Sequence, residues 1–248
     1  MTTPVVLVTG ALTGIGRATA QAFAREGARV VVSGRRDDEG RKLAGELQKL
    51  GAEADFLRSD VRHEEEVRNL IDKTVARFGR LDVAVNCAGT EGTPGPVTEQ
   101  SADTYAATFD TNVLGTLLSM KHEMRVMLAQ GSGCIVNISS TYGSRGAAGA
   151  ALYSASKHAV EGLTKSAALE AASSGVRVNM VAPGPIETGM LKRFTGTDER
   201  KAGLTATVAL KRLGRPEEVA QAIVFLASDK ASFITGASYS VDGGKSAQ

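Results

Sequence analysis

Runs of β-branched and apolar residues alternate with segments of helical period along the chain. The runs are nearly continuous in apolar character, which is typical of parallel strands buried on both faces. They predict strands at 5–9, 29–33, 54–58, 83–86, 134–139, 177–182 and 237–241. The segments between them predict helices at 14–26, 37–50, 64–78, 102–129, 153–173 and 216–227. This alternation predicts an α/β fold, a doubly wound parallel sheet of about seven strands with helices on both faces.

No repeat, linker or low-complexity stretch divides the chain, so one domain over residues 1–248 is expected. Ligands of such sheets bind at the carboxyl ends of the strands. Functional side chains are therefore expected in the segments that follow the predicted strands.

Composition excludes several classes of protein. The 29 Lys and Arg nearly balance the 27 Asp and Glu, which argues against nucleic-acid and membrane-surface partners. The two cysteines and three histidines lack metal-ligand spacing, so no metal site is predicted. No long apolar run and no leader pattern at 1–10 is found, which favours a cytoplasmic protein.

A glycine-rich turn lies between the first predicted strand and the first predicted helix. Gly10 permits a tight turn, Gly14 lets the backbone approach a pyrophosphate, and Gly16 lets the helix pack close to the strand. The helix N-terminus offers free N–H groups and partial positive charge to phosphates. A glycine turn without a ligand is the alternative that this motif alone leaves open.

The segment 9–16, TGALTGIG, resembles the TGxxxGIG fingerprint of the short-chain dehydrogenases/reductases. The other motifs of that family follow in order, through the late VDGG at 241–244, so the resemblance covers essentially the whole chain. It implies a single Rossmann-type domain that binds NAD or NADP. The residues expected to contact the coenzyme are Gly10, Thr13, Gly14, Ile15, Gly16, Arg35, Asp60, Val61, Asn86, Ala88, Gly89, Tyr153, Lys157, Pro183, Gly184, Ile186 and Thr188.

Tyr153 and Lys157 are four residues apart, which places both side chains on one helix face. A neighbouring ammonium lowers the pKa of a tyrosine from about 10, and such a tyrosine exchanges the proton of a carbonyl/alcohol pair. Alone, such a pair is usually part of a solvated helix face, and it is the other motifs of the set that favour the catalytic interpretation. The resemblance implies that Ser140 bonds the substrate oxygen, with Ser139 as the competing candidate, and that Asn112 holds a water linked to Lys157.

The segment after the second strand bears on coenzyme choice. Gly34 occupies the position where an acidic residue would bond the ribose hydroxyls of NAD, and Arg35 follows it. Arg35 is suited to a 2′-phosphate, which favours NADP over NAD. Thr13 counts against this, because many NADP-dependent members of the family have a basic residue there. Arg35 is also compatible with stacking on adenine, or with a solvated charge run.

The substrate region is expected between residues 189 and 214, a long and poorly patterned segment typical of a lid. Met190, with Tyr142, Ala147 and Leu152 near the chemistry, predicts a neutral, fairly apolar ketone or secondary alcohol. The favoured function is a carbonyl reductase or alcohol dehydrogenase. A 3-oxoacyl-[acyl-carrier-protein] reductase is the alternative, although segments 130–133 and 173–175 lack its basic residues. A non-catalytic dinucleotide sensor is the third possibility.

Two predicted helices suggest assembly. Helix 153–173 is rich in small residues, and helix 102–129 has an apolar surface broader than one face needs. Both features favour helix-on-helix contact with further copies of the chain. The resemblance makes this a homotetramer with two kinds of two-fold interface.

Overall fold

A computed structural model describes residues 3–247, which form a seven-stranded parallel sheet. The strand order is β3-β2-β1-β4-β5-β6-β7. The strands are β1 Val5–Thr9, β2 Arg29–Gly34, β3 Ala54–Arg58, β4 Val83–Asn86, β5 Gly133–Ile138, β6 Val176–Pro183 and β7 Ser238–Val241. Strands β2 and β3 are added on one side of β1, and strands β4 to β7 are added on its other side. This change in strand order between β1 and β4 opens a crevice at their carboxyl ends. The predicted fold class is confirmed.

Helices cover both faces of the sheet. They are α1 Gly14–Arg25, α2 Asp37–Lys49, α3 Glu64–Phe78, α4 Ala102–Phe109, α5 Gly115–Gln130, α6 Ala151–Ala171, α7 Gly189–Thr195, α8 Asp198–Ala206 and α9 Pro216–Ala227. Among residues 3–247, none of these helices combines the length and apolar character needed to cross a bilayer.

Strand β1 shows why the strand sequences lack polar alternation. Val6 and Val8 pack into one core cluster with Phe23 of α1. Val5 and Leu7 point to the opposite face and pack into a second cluster. Since successive side chains of a strand point to opposite faces, a sheet covered on both sides requires apolar residues at consecutive positions.

The helix predicted at 102–129 is found as a continuous helical run, in which a wide π-helical turn, Asp110–Leu114, joins α4 to α5. Asn112 lies in this turn and is buried. Its amide bonds the backbone of Thr90 and the hydroxyl of Ser156, so the turn is fixed by contacts outside the helix. Such bulges are frequent at functional sites.

The segment 189–214 is not an unpatterned loop, since it contains α7 and α8. The hydroxyls of Thr188 and Thr197 accept hydrogen bonds from the backbone N–H of Leu191 and Arg200, both at 3.2 Å, and so cap the two helices. At the base of this segment, the N–H of Glu187 donates to the carbonyl of Gly214 at 2.8 Å. Both ends of the segment are therefore pinned together beside β6.

Candidate active site

A cavity of about 450 Å³ lies at the carboxyl ends of the strands. It runs from Arg35 and Asp60 at one end, past the glycine turn, to Tyr153 and the α7–α8 segment at the other. The elongated shape joins a nucleotide-sized compartment to a smaller one beside Tyr153. It is therefore suited to two ligands that meet in the middle.

The glycine turn is built for close approach of its backbone to a ligand. Gly10 has a φ of 63° and Gly14 a φ of 54°, a region that side chains with a Cβ rarely adopt. A Cβ on Gly10 would lie 2.6 Å from the backbone of Ala88, and one on Gly16 would strike the carbonyl of Gly10. Thr13 precedes α1 without capping it through its side chain. The exposed N–H groups of α1 thus fit a dinucleotide pyrophosphate.

The adenosine end of the cavity carries an acid and two flanking cations. Arg62 donates to both oxygens of Asp60, at 3.0 and 3.1 Å from its Nε, and these bonds hold the pKa of Asp60 at about 2. Arg35 lies 4.0 Å from Asp60 with its side chain 64% exposed. A Cβ on Gly34 would lie 2.7 Å from the side chain of Leu12, so an acidic residue does not fit there without rearrangement.

Tyr153 lies in the first turn of α6, and Lys157 lies one turn later on the same face. The Nζ of Lys157 is 5.7 Å from the centre of the Tyr153 ring and donates to the carbonyl of Ile138 at 2.8 Å. Ser140, which follows β5, lies beside Tyr153 in the cavity lining, and hydrogen bonding from it lowers the pKa of Tyr153. The structure thus brings the three predicted catalytic side chains to one place in the cavity.

The electrostatics of this pair differ from the expectation. Burial raises the pKa of Tyr153 to about 12, and the hydrogen bond with Ser140 opposes this rise. Burial also lowers the pKa of Lys157 to about 8. Tyr153 thus does not have the lowered pKa that the sequence predicts, because burial of its phenol raises the pKa more than the hydrogen bond with Ser140 lowers it.

The two serines after β5 have different surroundings. Ser139 is buried and donates to Glu161 Oε1 of α6 at 3.1 Å. Ser140 accepts from the backbone N–H of Tyr142 at 3.2 Å and forms the bond with Tyr153. Because the hydroxyl proton of Ser139 is committed to Glu161, Ser140 is the serine placed for a substrate.

Asn112 lies beside the catalytic group without lining the cavity. Its Oδ1 accepts from Thr90 N–H at 2.8 Å, and both its amide protons are used, by Thr90 O at 2.9 Å and Ser156 Oγ at 3.0 Å. The side chain thus ties the loop after β4 to α6. Its predicted role in holding a water stays a prediction.

Most of the other predicted contacts line the cavity. These are Gly10, Thr13, Gly14, Ile15, Arg35, Asp60, Val61, Ala88, Gly89, Pro183, Gly184, Ile186, Thr188, Tyr142 and Met190. Of the described residues, Gly16, Asn86, Ala147 and Leu152 do not line it. Gly16 packs behind the turn. The amide of Asn86 instead points into the interior and donates to Glu123 and Asn137, at 2.9 and 3.0 Å.

Three charged side chains of the substrate end were missed by the sequence analysis. Arg193 of α7 donates to both carboxylate oxygens of Glu91, at 2.5 and 3.1 Å, and this pair spans the cavity mouth. Lys245 enters from the last described turn. No sequence pattern predicts them. Glu91 and Lys245 lie outside regular strands and helices, and Arg193 is one of several charged residues in its segment.

Comparison with known proteins gives consistent matches over the chain. Residues 10–246 match the family model described as enoyl-(acyl carrier protein) reductase. The chain is 43% identical to a cis-4-hydroxycyclohexanecarboxylate dehydrogenase of Sinomonas cyclohexanicum, over 98% of this chain and 96% of that protein. It is 39% identical to a cyclohexanol dehydrogenase of an Acinetobacter strain, over 96% and 93%. The solved structure of ElxO with NADP bound superposes with a TM-score of 0.94 at 37% identity, covering 100% of both chains.

Proposed function

Since the chain belongs to the short-chain dehydrogenase/reductase family and is an NAD(P)-dependent oxidoreductase of ketones and secondary alcohols, we propose that its substrates are small cyclic ones. Two relatives named for cyclohexane-ring alcohols support this. Met190 and Phe194 of α7 line the substrate end with Tyr142, and these side chains suit an apolar ring.

The chemistry is assigned to side chains that meet at one point of the cavity. A bound nicotinamide supplies the hydride in reduction and accepts it in oxidation. Tyr153 gives its phenolic proton to the carbonyl oxygen in reduction, since a pKa of about 12 keeps it protonated at neutral pH. Ser140 donates a hydrogen bond to the same oxygen. Lys157, held by the Ile138 carbonyl, is placed to orient the nicotinamide ribose and to stabilise the phenolate with its charge.

The observation that carries this proposal is the convergence of Ser140, Tyr153 and Lys157 in the lining of one cavity. A panel of cyclic and linear ketones, assayed by coenzyme absorbance with NADPH and with NADH, tests it. Reduction of cyclohexanone-type substrates is expected to be fastest. If 3-oxoacyl thioesters of acyl carrier protein were reduced as fast as the cyclic ketones or faster, the protein would instead be a 3-oxoacyl-[acyl-carrier-protein] reductase. The relatives that are named for cyclic alcohols do not favour that function.

NADP is the proposed coenzyme. Three features of the adenosine end support it: the exposed guanidinium of Arg35, the absence of room for an acidic side chain at Gly34, and Arg36 next to them in the cavity lining. A similar solved structure also holds NADP. An arginine fork offers charge-assisted hydrogen bonds that match a 2′-phosphate.

Replacing Arg35 with alanine is expected to weaken NADPH about ten- to hundredfold and NADH by much less, since a charge-assisted hydrogen bond contributes about 1.5–3 kcal/mol. Titration of coenzyme fluorescence measures both affinities. Arg41→Ala, an exposed arginine of α2, is the control. Equal losses for NADPH and NADH would show that Arg35 only stacks on adenine or supports the loop.

We also propose that the α7–α8 segment acts as a lid. The Arg193–Glu91 ion pair joins α7 to the loop after β4 across the cavity mouth. The segment is pinned at its base, and α7 is held both by this pair, in which the Glu91 side chain is only 10% exposed, and by the buried side chain of Leu191. Opening of the lid therefore has to break the ion pair and expose Leu191.

A homotetramer remains the proposed assembly. Two regions support it by exposing apolar side chains: Leu117 of α5 with Leu169 of α6, and Phe233 with Tyr239 at the β7 edge. Light scattering at micromolar concentration is expected to give four times the 25.8 kDa chain mass. A dimer would remove one of the two interfaces, and a monomer both. A cytoplasmic location, and the lack of nucleic-acid and membrane partners, stay predictions.

A further inference from the structure

The turn Lys245–Ala247 packs against the substrate end of the cavity. The Nζ of Lys245 lies 6.0 Å from the centre of the Tyr142 ring. That ring stands edge-on to Tyr153, with 6.4 Å between the ring centres. The ring of Tyr142 is therefore a neighbour of both the Lys245 ammonium group and Tyr153.

The backbone that carries Lys245 is held on both sides. Arg145 donates to the carbonyl of Lys245 at 3.2 Å and to the carbonyl of Ser246. Asp242 accepts from the N–H of Gly244 at 2.9 Å and of Ser246 at 2.8 Å. The lysine side chain thus starts from a fixed position, as a binding residue requires.

The charge of Lys245 has no counter-ion among residues 3–247. Its Nζ donates to the neutral hydroxyl of Thr207 at 2.7 Å, and Asp242, the carboxylate of that range whose charge acts on it, forms no ion pair with it. Burial lowers the pKa of Lys245, and Arg145 adds to the lowering while Asp242 opposes it. In contrast, the other cation of this end, Arg193, is paired with Glu91.

We propose that Lys245 binds a carboxylate on the substrate, so that the cyclic alcohol or ketone is an anionic one whose ring packs against Tyr142, with its reacting oxygen at Tyr153. A partly desolvated ammonium without a counter-ion is unfavourable, and a ligand anion offsets that cost. The apolar side chains of the cavity then contact only the ring of the substrate, and Lys245 binds its carboxylate. This refines the neutral substrate expected from the sequence, and it rests on the proposed function for the position of the reacting oxygen.

Paired probes test the inference. The wild type is expected to reduce 4-oxocyclohexanecarboxylate with a kcat/KM about ten- to hundredfold above that of its neutral methyl ester. Lys245→Met should remove this preference while leaving the ester rate and the KM for NADPH within about twofold, and Lys245→Arg should restore part of it. Lys230→Met, an exposed lysine outside the cavity, is the control and should change neither.

Equal loss for carboxylate and ester would assign Lys245 a purely structural role, and a raised KM for NADPH would assign it to the coenzyme. Equal wild-type rates for the two probes would leave the oxidoreductase intact and overturn the anionic substrate. Calorimetry with cyclohexanecarboxylate gives an answer independent of turnover. Wild type should bind it at least about tenfold more tightly than Lys245→Met, and equal affinities would refute the proposal even if neither ketone is reduced.

Discussion

Replacing Tyr153 with phenylalanine is expected to lower kcat by about 10²–10⁴-fold, because it removes the proton that the proposed chemistry transfers. The ring remains, so the edge-on contact with Tyr142 and the packing of α6 are kept. Coenzyme affinity should change little by comparison. Steady-state kinetics in both directions, with coenzyme affinity measured separately, check the prediction.

Tyr105→Phe is the matched control, since Tyr105 is an exposed tyrosine of α4 that stacks on Phe109. It should keep wild-type kinetics. If the Tyr153→Phe enzyme retained most of its kcat, Tyr153 would not be the proton donor, and another group in the cavity would have to supply the proton.

Lys157→Met is expected to separate activity from stability. The substitution removes the charge beside Tyr153, so kcat should fall by about 10²-fold or more. It also removes a buried ammonium whose pKa falls from 10.5 to about 8, which corresponds to about 3 kcal/mol of destabilisation at pH 7. The lost hydrogen bond to Ile138 has a charged donor and costs about 1.5–3 kcal/mol. The variant should therefore be more stable by about 0–1.5 kcal/mol.

The pH dependence of this gain has a defined sign. Below pH 8 Lys157 is protonated in both the folded and the unfolded chain, so the wild type carries the full burial cost. Between pH 8 and 10.5 the folded chain binds fewer protons than the unfolded one, and wild-type stability rises with pH. The advantage of Lys157→Met should thus shrink over this window.

Urea unfolding at several pH values measures that advantage, with Lys73→Met, an exposed lysine of α3, as the control. A variant less stable than wild type at pH 7 would show that Lys157 contributes more through its contacts than its burial costs.

The strands of the sheet were predictable because each is marked by the apolar residues of its own segment. Strands β1, β3 and β4 begin and end at the predicted residues, and in β1 and β4 burial on both faces demands uninterrupted apolar runs. The π-helical turn at 110–114 was not predictable, because it depends on contacts of Asn112 with Thr90 and Ser156, which are distant in sequence. In the sequence, the 3.6-residue period of apolar positions continues through residues 110–114 without interruption.

In the site, too, some features follow from the local sequence and others depend on contacts between distant residues. Tyr153 and Lys157 are placed by helical spacing alone, so their proximity followed from the sequence. The high pKa of Tyr153 did not, because it depends on how much of the surrounding protein covers the phenol. The position of Lys245 depends on Arg145 and Asp242, which hold a turn that has no periodic pattern.

The most direct test of the account follows deuterium from the coenzyme to the product. Wild-type enzyme is incubated with cyclohexanone and NADPH deuterated at C4 of the nicotinamide, and the alcohol is analysed by mass spectrometry. We expect deuterium on the carbinol carbon, with the rate of its appearance reduced in Tyr153→Phe. Alcohol without deuterium from coenzyme labelled at either face of C4, or no alcohol from any ketone tried while NADPH binds, would contradict hydride transfer at this site.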